Sequence, residues 1–184
     1  MSVTVVKLGG SLLSLPDLPE RLRGLIAGLN GDRVLLVVGG GAAADVVRQW
    51  DQIHKLSPEQ SHWLAIDSLR LTARLMAELV SEVRVVSCRE EAEACWAEGR
   101  WPVLEPRAFL TSLEAEHGPE LPRSWQVTSD SIAAWIAIHW PAQRLVLAKS
   151  VERSPAIELG RDVDEFFASL LPRLPNVEWV NLRR

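Results

Sequence analysis

The stretch Val3-Thr4-Val5-Val6-Lys7-Leu8-Gly9-Gly10-Ser11 decides the fold. Its first four residues are all β-branched, which favours a buried strand over a helix. This predicted strand ends abruptly at a lysine and two glycines. In open α/β sheets, ligands bind outside the carboxyl ends of the strands. A cation beside backbone amides at that edge is typical of a site for an anion such as phosphate.

Two further apolar runs end in a similar way. The run Arg33–Val38 precedes Gly39-Gly40-Gly41, and the run 144–148 precedes Lys149 and Ser150. The chain has 20 basic residues, of which only Lys7, Lys55 and Lys149 are lysines. Lysine is a compact point charge, whereas arginine is a planar fork. Two of the three lysines stand at predicted strand ends, which indicates either a selected position for a point charge or a chance placement.

Length and composition indicate one ordinary globular domain spanning residues 1–184. The chain is 47% hydrophobic and 24% charged, and no apolar run approaches the ~18 residues of a membrane span. No signal peptide is visible at the start, and two cysteines do not form a disulfide framework. The net charge of −4 argues against nucleic-acid binding. We expect a cytoplasmic protein without nucleic-acid or membrane partners.

Strand patterns alternate with helix patterns along the whole chain. This order predicts a three-layer α/β/α sandwich around a mostly parallel sheet. Further strands are predicted at residues 83–86, 103–104 and 177–182, and a loop at 151–161. Helices are predicted at 17–30, 42–55, 58–80, 89–98, 107–116, 132–139 and 163–170.

The long helix predicted at 58–80 begins with a capping box at Ser57-Pro58-Glu59-Gln60. It carries apolar residues on two sides. One set contains Ile66, Leu69 and Met76, and the other contains Leu64, Leu71, Leu75 and Leu79. The second side predicts either burial within the chain or the interface of a homodimer or larger homo-oligomer.

The run Gly39-Gly40-Gly41-Ala42-Ala43-Ala44 satisfies the dinucleotide pattern G-x-G-x-x-A, but no acidic residue ends a following strand at the required distance. A structural turn and a glycine nest for an anionic or carbonyl-bearing substrate remain as alternatives. Walker A, G-x-S-x-G and H-E-x-x-H motifs are absent from the sequence. We predict no protein metal site, and we expect the four histidines at surface or helix-packing positions.

Asp130 falls in the first turn of the helix that Thr128-Ser129-Asp130-Ser131 opens. A carboxylate there is favourable with the helix dipole and needs no function. The functional alternative is that Asp130 orients Lys7 or Lys149. Position in the sequence does not separate the two interpretations.

Several of these motifs, taken in order, resemble the amino acid kinase family, which includes aspartate, acetylglutamate, glutamate and uridylate kinases. The resemblance rests on Lys7-Leu8-Gly9-Gly10-Ser11, Gly39-Gly40-Gly41, the run from Thr128 to Ala134, and the strand ending at Lys149. Within the family, the chain is most similar to the short branch of aminomethyl-furanmethanol-phosphate kinases of methanofuran-type coenzyme synthesis. The run Val163-Asp164-Glu165-Phe166-Phe167 and the segment 177–182 contribute to that similarity.

The resemblance implies transfer of the terminal phosphoryl group of ATP to a phosphate or carboxylate oxygen of a small anionic acceptor. Magnesium would bridge the phosphates of ATP, held mainly by the nucleotide and water. Lys7, Asp130 and Lys149 would be catalytic, with Asp130 organising the two lysines. The remaining implied roles are phosphate or nucleotide binding by Gly9, Gly10, Ser11, Lys149 and Ser150, and acceptor binding by Gly39, Gly40, Gly41, Thr128 and Ser129.

The chain also departs from the family pattern. After Lys149 it reads Ser150-Val151-Glu152-Arg153-Ser154-Pro155, where the family has an aspartate and a glycine. Longer members continue into a nucleotide-binding lobe, so the resemblance implies a shortened C-terminal lobe here. These departures motivate a second hypothesis, a non-catalytic ligand-binding or assembly protein with the same fold. A dehydrogenase that uses a nicotinamide cofactor is the third hypothesis.

Overall fold

A computed structural model describes residues 2–118, 121–154, 162–174 and 176–184. The strands are β1 (Val3–Leu8), β2 (Arg33–Val38), β3 (Val83–Val86), β4 (Trp101–Leu104), β5 (Ala142–Lys149) and β6 (Asn176–Asn181). The helices are α1 (Leu18–Ala27), α2 (Gly41–His54), α3 (Pro58–Leu79), α4 (Arg89–Ala97), α5 (Pro106–His117), α6 (Ser129–His139) and α7 (Phe167–Leu170). Short 3₁₀ helices cover Gly10–Ser14 and Leu171–Arg173.

The strands form one sheet in the order β3-β4-β2-β1-β5-β6, and every strand pair in the described part of the chain is parallel. Helices cover both faces of the sheet. One face packs against α4, α5, α6 and α7, and the other packs against α1 and the second half of α3. The predicted three-layer α/β/α architecture with a mostly parallel sheet is confirmed.

The register of the central strands sets the position of the site. Leu8 at the end of β1 pairs with Val38 at the end of β2 and with Ala148 near the end of β5. The Gly9 N–H donates to the Ala148 carbonyl at 2.8 Å, and the Gly39 N–H donates to the Leu8 carbonyl at 2.8 Å. The lysine and glycine ends of the three strands therefore meet at one edge of the sheet.

Helix α3 begins at the predicted capping box. The Ser57 N–H donates to Gln60 Oε1 at 2.9 Å, and the Gln60 N–H donates to Ser57 Oγ at 3.3 Å. Its first apolar side is buried in both cores. The second side is exposed on the single chain: 37% for Leu64, 61% for Leu71, 40% for Leu75 and 43% for Leu79. Of the two alternatives for this side, burial within the chain is not observed among the described residues.

The helix predicted at 163–170 is shorter in the structure and covers only Phe167–Leu170. Asp164 lies outside this helix, and its carboxylate accepts the N–H of Phe167, the first residue of α7, at 3.1 Å. A 3₁₀ helix replaces the loop expected after Ser11. The predicted loop 151–161 lies within the described residues only as far as Ser154. No helix in the described ranges is long and apolar enough to cross a lipid bilayer.

Candidate active site

Two lysines share one carboxylate at the carboxyl edge of the sheet. Lys7 Nζ of β1 lies 2.7 Å from Asp130 Oδ1, and Lys149 Nζ of β5 lies 2.7 Å from Asp130 Oδ2. Helix α6 packs against β1 and β5 and carries Asp130 in its first turn. The side chains of Lys7, Asp130 and Lys149 are only 4%, 7% and 13% exposed. The carboxylate thus contacts both ammonium groups, the arrangement required by the functional alternative for Asp130.

Burial and charge act in opposite directions on this triad. Burial lowers the pKa of Lys149 to about 8, and the nearby Lys7 charge contributes to the shift while Asp130 opposes it. Burial also disfavours the charged form of Asp130, but the charges of Lys7 and Lys149 outweigh it and hold the pKa of that carboxyl below its usual range. Lys149 therefore titrates near the top of the physiological pH range.

The Lys149 ammonium is also held from the opposite side. It donates to the backbone carbonyl of Asp162 at 2.9 Å and lies 5.5 Å from the ring centroid of Trp179. The Ser154 hydroxyl donates to Asp162 Oδ1 at 3.1 Å. Asp162 could not be predicted as part of the site, because it contacts Lys149 through its backbone carbonyl, a group that every residue has.

Asp164 fixes the first turn of α6 from outside the helix. Its Oδ2 accepts the Thr128 N–H at 2.9 Å, the Thr128 hydroxyl at 2.8 Å and the Ser131 N–H at 3.0 Å. Its Oδ1 accepts the Ser131 hydroxyl. Asp164 therefore does for α6 what an N-cap side chain does locally, and it sets the position of Asp130. Sequence analysis singled out this stretch only for its resemblance.

The glycine-rich turns after β1 and β2 touch each other. A Cβ on Gly10 would lie 2.2 Å from the Gly41 nitrogen, and one on Gly39 would lie 2.8 Å from the Gly10 nitrogen and 2.9 Å from Ser129 Oγ. Gly41 has a φ of +52°, a conformation that favours glycine. These glycines are therefore required for packing of the two turns, whatever they bind. The Ser11 and Ser150 hydroxyls are hydrogen-bonded at 2.8 Å across the same edge.

A cavity of about 250 Å³ opens beside these turns, and we call it the central cavity. Seven of the predicted site residues line it: Gly10, Ser11, Gly39, Gly40, Gly41, Thr128 and Ser129. Lys7, Gly9, Asp130, Lys149 and Ser150 are not among its lining residues. The predicted residues therefore form three groups: the residues that line the cavity, the charged triad of Lys7, Asp130 and Lys149, and Gly9 and Ser150 beside the triad.

Residues 2–153 match the amino acid kinase family. This match covers most of the chain. The chain belongs to the amino acid kinase family. Helix α6 and the turns after β1 and β2, which carry the site, all lie within the matched residues.

Individual relatives agree with the family assignment. The chain is 29% identical over 151 residues to a [5-(aminomethyl)furan-3-yl]methyl phosphate kinase of Methanocaldococcus jannaschii, a match that covers 80% of this chain and 66% of that relative. Solved structures of similar fold include a uridylate kinase of Archaeoglobus fulgidus, with a TM-score of 0.58, 23% identity and coverage of 83% of this chain and 65% of that one.

A UMP kinase of Ureaplasma parvum gives a TM-score of 0.66 at 13% identity, covering 100% of this chain and 92% of that one. A UMP kinase of Bacillus anthracis gives 0.67 at 14% identity, covering 100% and 88%. At such identities these likenesses show the amino acid kinase fold.

The central cavity also has a cationic and aromatic wall, formed by Arg48 and Trp125, that was not predicted from the sequence. Arg48 on α2 donates to Asp45 Oδ1 at 2.9 Å, and its guanidinium lies 4.8 Å from the ring centroid of Trp125. The Trp125 indole N–H donates to Asp51 Oδ2 at 2.6 Å. The apolar pattern of α2 gave no signal for this wall, because Trp125 reaches it from a loop that is distant in sequence.

His62 on α3 also lines the cavity and is 5% exposed. The prediction that His62 lies at a helix-packing position agrees with its burial on α3. A role beside the cavity was not expected, since a histidine within a helix pattern carries no information about which cavity its ring will border.

Proposed function

We propose that this member of the amino acid kinase family transfers the terminal phosphoryl group of ATP to a small anionic acceptor bound in the central cavity. The observation that carries the proposal is the pair of lysines sharing Asp130 at the edge of the sheet. With both lysines protonated, the triad has a net charge of +1 in a largely buried site. A phosphate group entering there would supply the missing negative charge.

Phosphoryl transfer requires positioning and charge neutralisation more than covalent chemistry. In the proposed mechanism, Lys7 and Lys149 stabilise negative charge on the transferred group, and Asp130 keeps their ammonium groups in place. The Gly9 N–H already donates within the sheet. Amide and hydroxyl contacts to phosphate are therefore assigned to Gly10 and Ser11, and Ser150 would contribute through its hydrogen bond to Ser11. No general base is required, because a phosphate or carboxylate oxygen is already nucleophilic at neutral pH.

The residues at the proposed phosphate site suit a magnesium ion that is held mainly by the phosphates of ATP. No cluster of three or more His, Cys, Asp or Glu side chains suited to a metal occurs among the described residues. Both oxygens of Asp130 contact lysines. Mg²⁺ usually keeps several waters and binds substrate phosphates. The chain's own contribution would be the cationic and amide cradle for the phosphates, while the ion would neutralise their remaining charge.

The acceptor proposal follows the size and lining of the central cavity. Its volume of about 250 Å³ lies below the ~300–1,000 Å³ of drug-sized ligand sites. Ala65, Ile66 and Ile132 line it together with the glycine turns and Arg48. These features support a compact acceptor with an apolar body and one anionic group. A phosphomonoester related to [5-(aminomethyl)furan-3-yl]methyl phosphate is the first candidate, which would place the chain in methanofuran-type coenzyme synthesis.

The test is phosphoryl transfer from Mg·ATP to that phosphomonoester, with UMP, aspartate and glutamate as competing acceptors, measured by ³¹P NMR and ADP release. Lys7→Gln should lower kcat by roughly 10²–10³, as loss of one preorganised donor does. Lys55→Gln is the matched control, since Lys55 is exposed at the end of α2. Calorimetric binding of Mg·ATP without turnover of any acceptor would contradict the kinase proposal and favour the ligand-binding alternative.

We also propose that a second copy of the chain covers the exposed apolar side of α3. Leu71, Leu75 and Leu79 would lie at the centre of this homodimer interface, because contiguous exposed apolar surface marks interaction sites. Leu75→Asp should convert the dimer to a monomer in light scattering after gel filtration. Leu171→Asp, at a leucine 39% exposed elsewhere, should leave the mass unchanged. A monomeric wild type would contradict this proposal.

A further inference from the structure

The His62 ring borders the central cavity in one defined tautomer. Its Nε2 lies 3.0 Å from Nη1 of Arg123. A guanidinium nitrogen can only donate a hydrogen bond, so Nε2 must be the acceptor. The imidazole is therefore neutral and carries its proton on Nδ1.

Arg123 is itself held in place for this contact. Its Nη2 donates to Glu114 Oε2 at 2.6 Å, and its guanidinium lies 4.5 Å from the ring centroid of Trp63. Burial, followed by the positive charge of Arg123, lowers the pKa of His62 to about 4. Glu114 on α5, Arg123 in the following loop and His62 on α3 thus form a chain of contacts that ends at the cavity.

The Nδ1–H group of His62 makes no hydrogen bond to another described residue, and Nδ1 is not among the fully buried unpaired atoms, so solvent reaches it. His62 is 5% exposed, and it lines the cavity. A ligand that displaces this solvent must itself accept the hydrogen bond, because otherwise the donor would be left unpaired at a cost. The position therefore favours ligands that present a lone pair at this wall.

We propose that His62 Nδ1–H donates a hydrogen bond to an uncharged or anionic oxygen of the acceptor substrate, and that Arg123 and Glu114 fix the tautomer. This inference rests on the proposed function and deepens it. His62 is then a residue that determines specificity. A compact acceptor without an oxygen at that point would leave the donor unpaired and bind poorly.

The first experiment needs no substrate. Two-dimensional ¹⁵N–¹H spectra of histidine-labelled protein should show His62 with a protonated Nδ1 and a bare Nε2, unchanged between pH 5.5 and 8. The other three histidines serve as internal references. Arg123→Met should remove the tautomer preference. A proton on Nε2 in the wild type, or a charged ring at pH 6, would overturn the inference whatever the protein catalyses.

The second experiment uses [5-(aminomethyl)furan-3-yl]methyl phosphate and Mg·ATP as probes. His62→Phe keeps a ring but loses the donor, so the KM for the phosphomonoester should rise about tenfold while the Kd of Mg·ATP stays unchanged. His62→Asn, which places an N–H near the Nδ1 position, should recover part of the loss. His54→Phe, at an exposed histidine of α2, is the control.

The outcomes separate this inference from the proposed function. Turnover by the wild type with an unchanged KM in His62→Phe would refute the role of His62 and leave the kinase intact. If the wild type neither turns over the phosphomonoester nor shifts its His62 Nδ1–H signal when the probes are added, both proposals fail.

Discussion

Replacing Asp130 by asparagine removes the one carboxylate that both site lysines contact. Each ammonium lies 2.7 Å from it, and the three side chains are at most 13% exposed. Breaking a buried ion pair by removing one partner costs about 3–5 kcal/mol, because it leaves an uncompensated charge. In Asp130→Asn two such charges would remain. We therefore expect a loss of unfolding free energy of this size.

The magnitude should depend on pH, because the charge on Lys149 is lost as the pH rises. Because the pKa of Lys149 is about 8, removing its proton at pH 7 costs about 1.4 kcal/mol in the wild type. In Asp130→Asn this cost is smaller, since the carboxylate that favours the charged form is gone. The cost of Asp130→Asn should be near 5 kcal/mol at pH 6, when Lys149 is charged. It should approach 3 kcal/mol at pH 9, when Lys149 is largely neutral in the wild type as well.

The assay is urea unfolding followed by the fluorescence of the eight tryptophans at pH 6, 7 and 9. Asp67→Asn is the matched control, because Asp67 pairs with Arg107 at 2.8 Å on the surface, with 39% and 46% exposure. It should cost less than about 1 kcal/mol at every pH. Adding Lys149→Met to Asp130→Asn should recover stability at pH 6. A cost below 1 kcal/mol at pH 6, or one that grows with pH, would refute this account of the triad.

Three further predictions follow from the same geometry. Because the ammonium of Lys149 discharges as the pH rises through about 8, kcat/KM should fall above that pH in a pH–rate profile. Asp164→Ala should lower the unfolding free energy in urea by about 3 kcal/mol, since it strands buried N–H groups at the start of α6. Gly10→Ala should cost about 3 kcal/mol in thermal unfolding because its Cβ would overlap the adjacent turn, whereas Gly24→Ala, with nothing within 4 Å in α1, should stabilise by about 0.5–1 kcal/mol.

The fold and the charged triad could be predicted because they follow from local patterns and one topological rule. Runs of β-branched and other apolar residues predict strands, and strands that alternate with helices are parallel. The carboxyl ends of adjacent parallel strands then share one edge. Patterns in the sequence placed Lys7 and Lys149 each at a strand end, and the family resemblance implied that Asp130 organises both. The register of β1 with β5 brings the two lysines to that one carboxylate. Their catalytic roles remain predictions.

The supporting contacts could not be predicted, because they join residues that are distant in sequence. An ordinary N-cap lies within the helix it caps, whereas Asp164 caps α6 from 36 residues beyond Thr128. The Arg123–His62 contact spans 61 residues and depends on where α3 and the loop after α5 lie in space. The Asp164 carboxylate also accepts the N–H of Phe167, the first residue of α7, so Asp164 joins the starts of two helices.

The use of lysine at this site is explained by the geometry of the shared carboxylate. In a chain where arginine is the predominant basic residue, Lys7 and Lys149 each contact a different oxygen of Asp130 at 2.7 Å. An arginine in either place would tend to take both oxygens with its planar fork. It would also stay charged at every pH, so the second cation would remain buried without a full partner. Two lysine charges on one carboxylate leave a net positive charge at the edge where the glycine turns meet. This net charge changes with pH because Lys149 titrates near pH 8. For the phosphate binding and release that we propose at this triad, lysine therefore fits better than arginine.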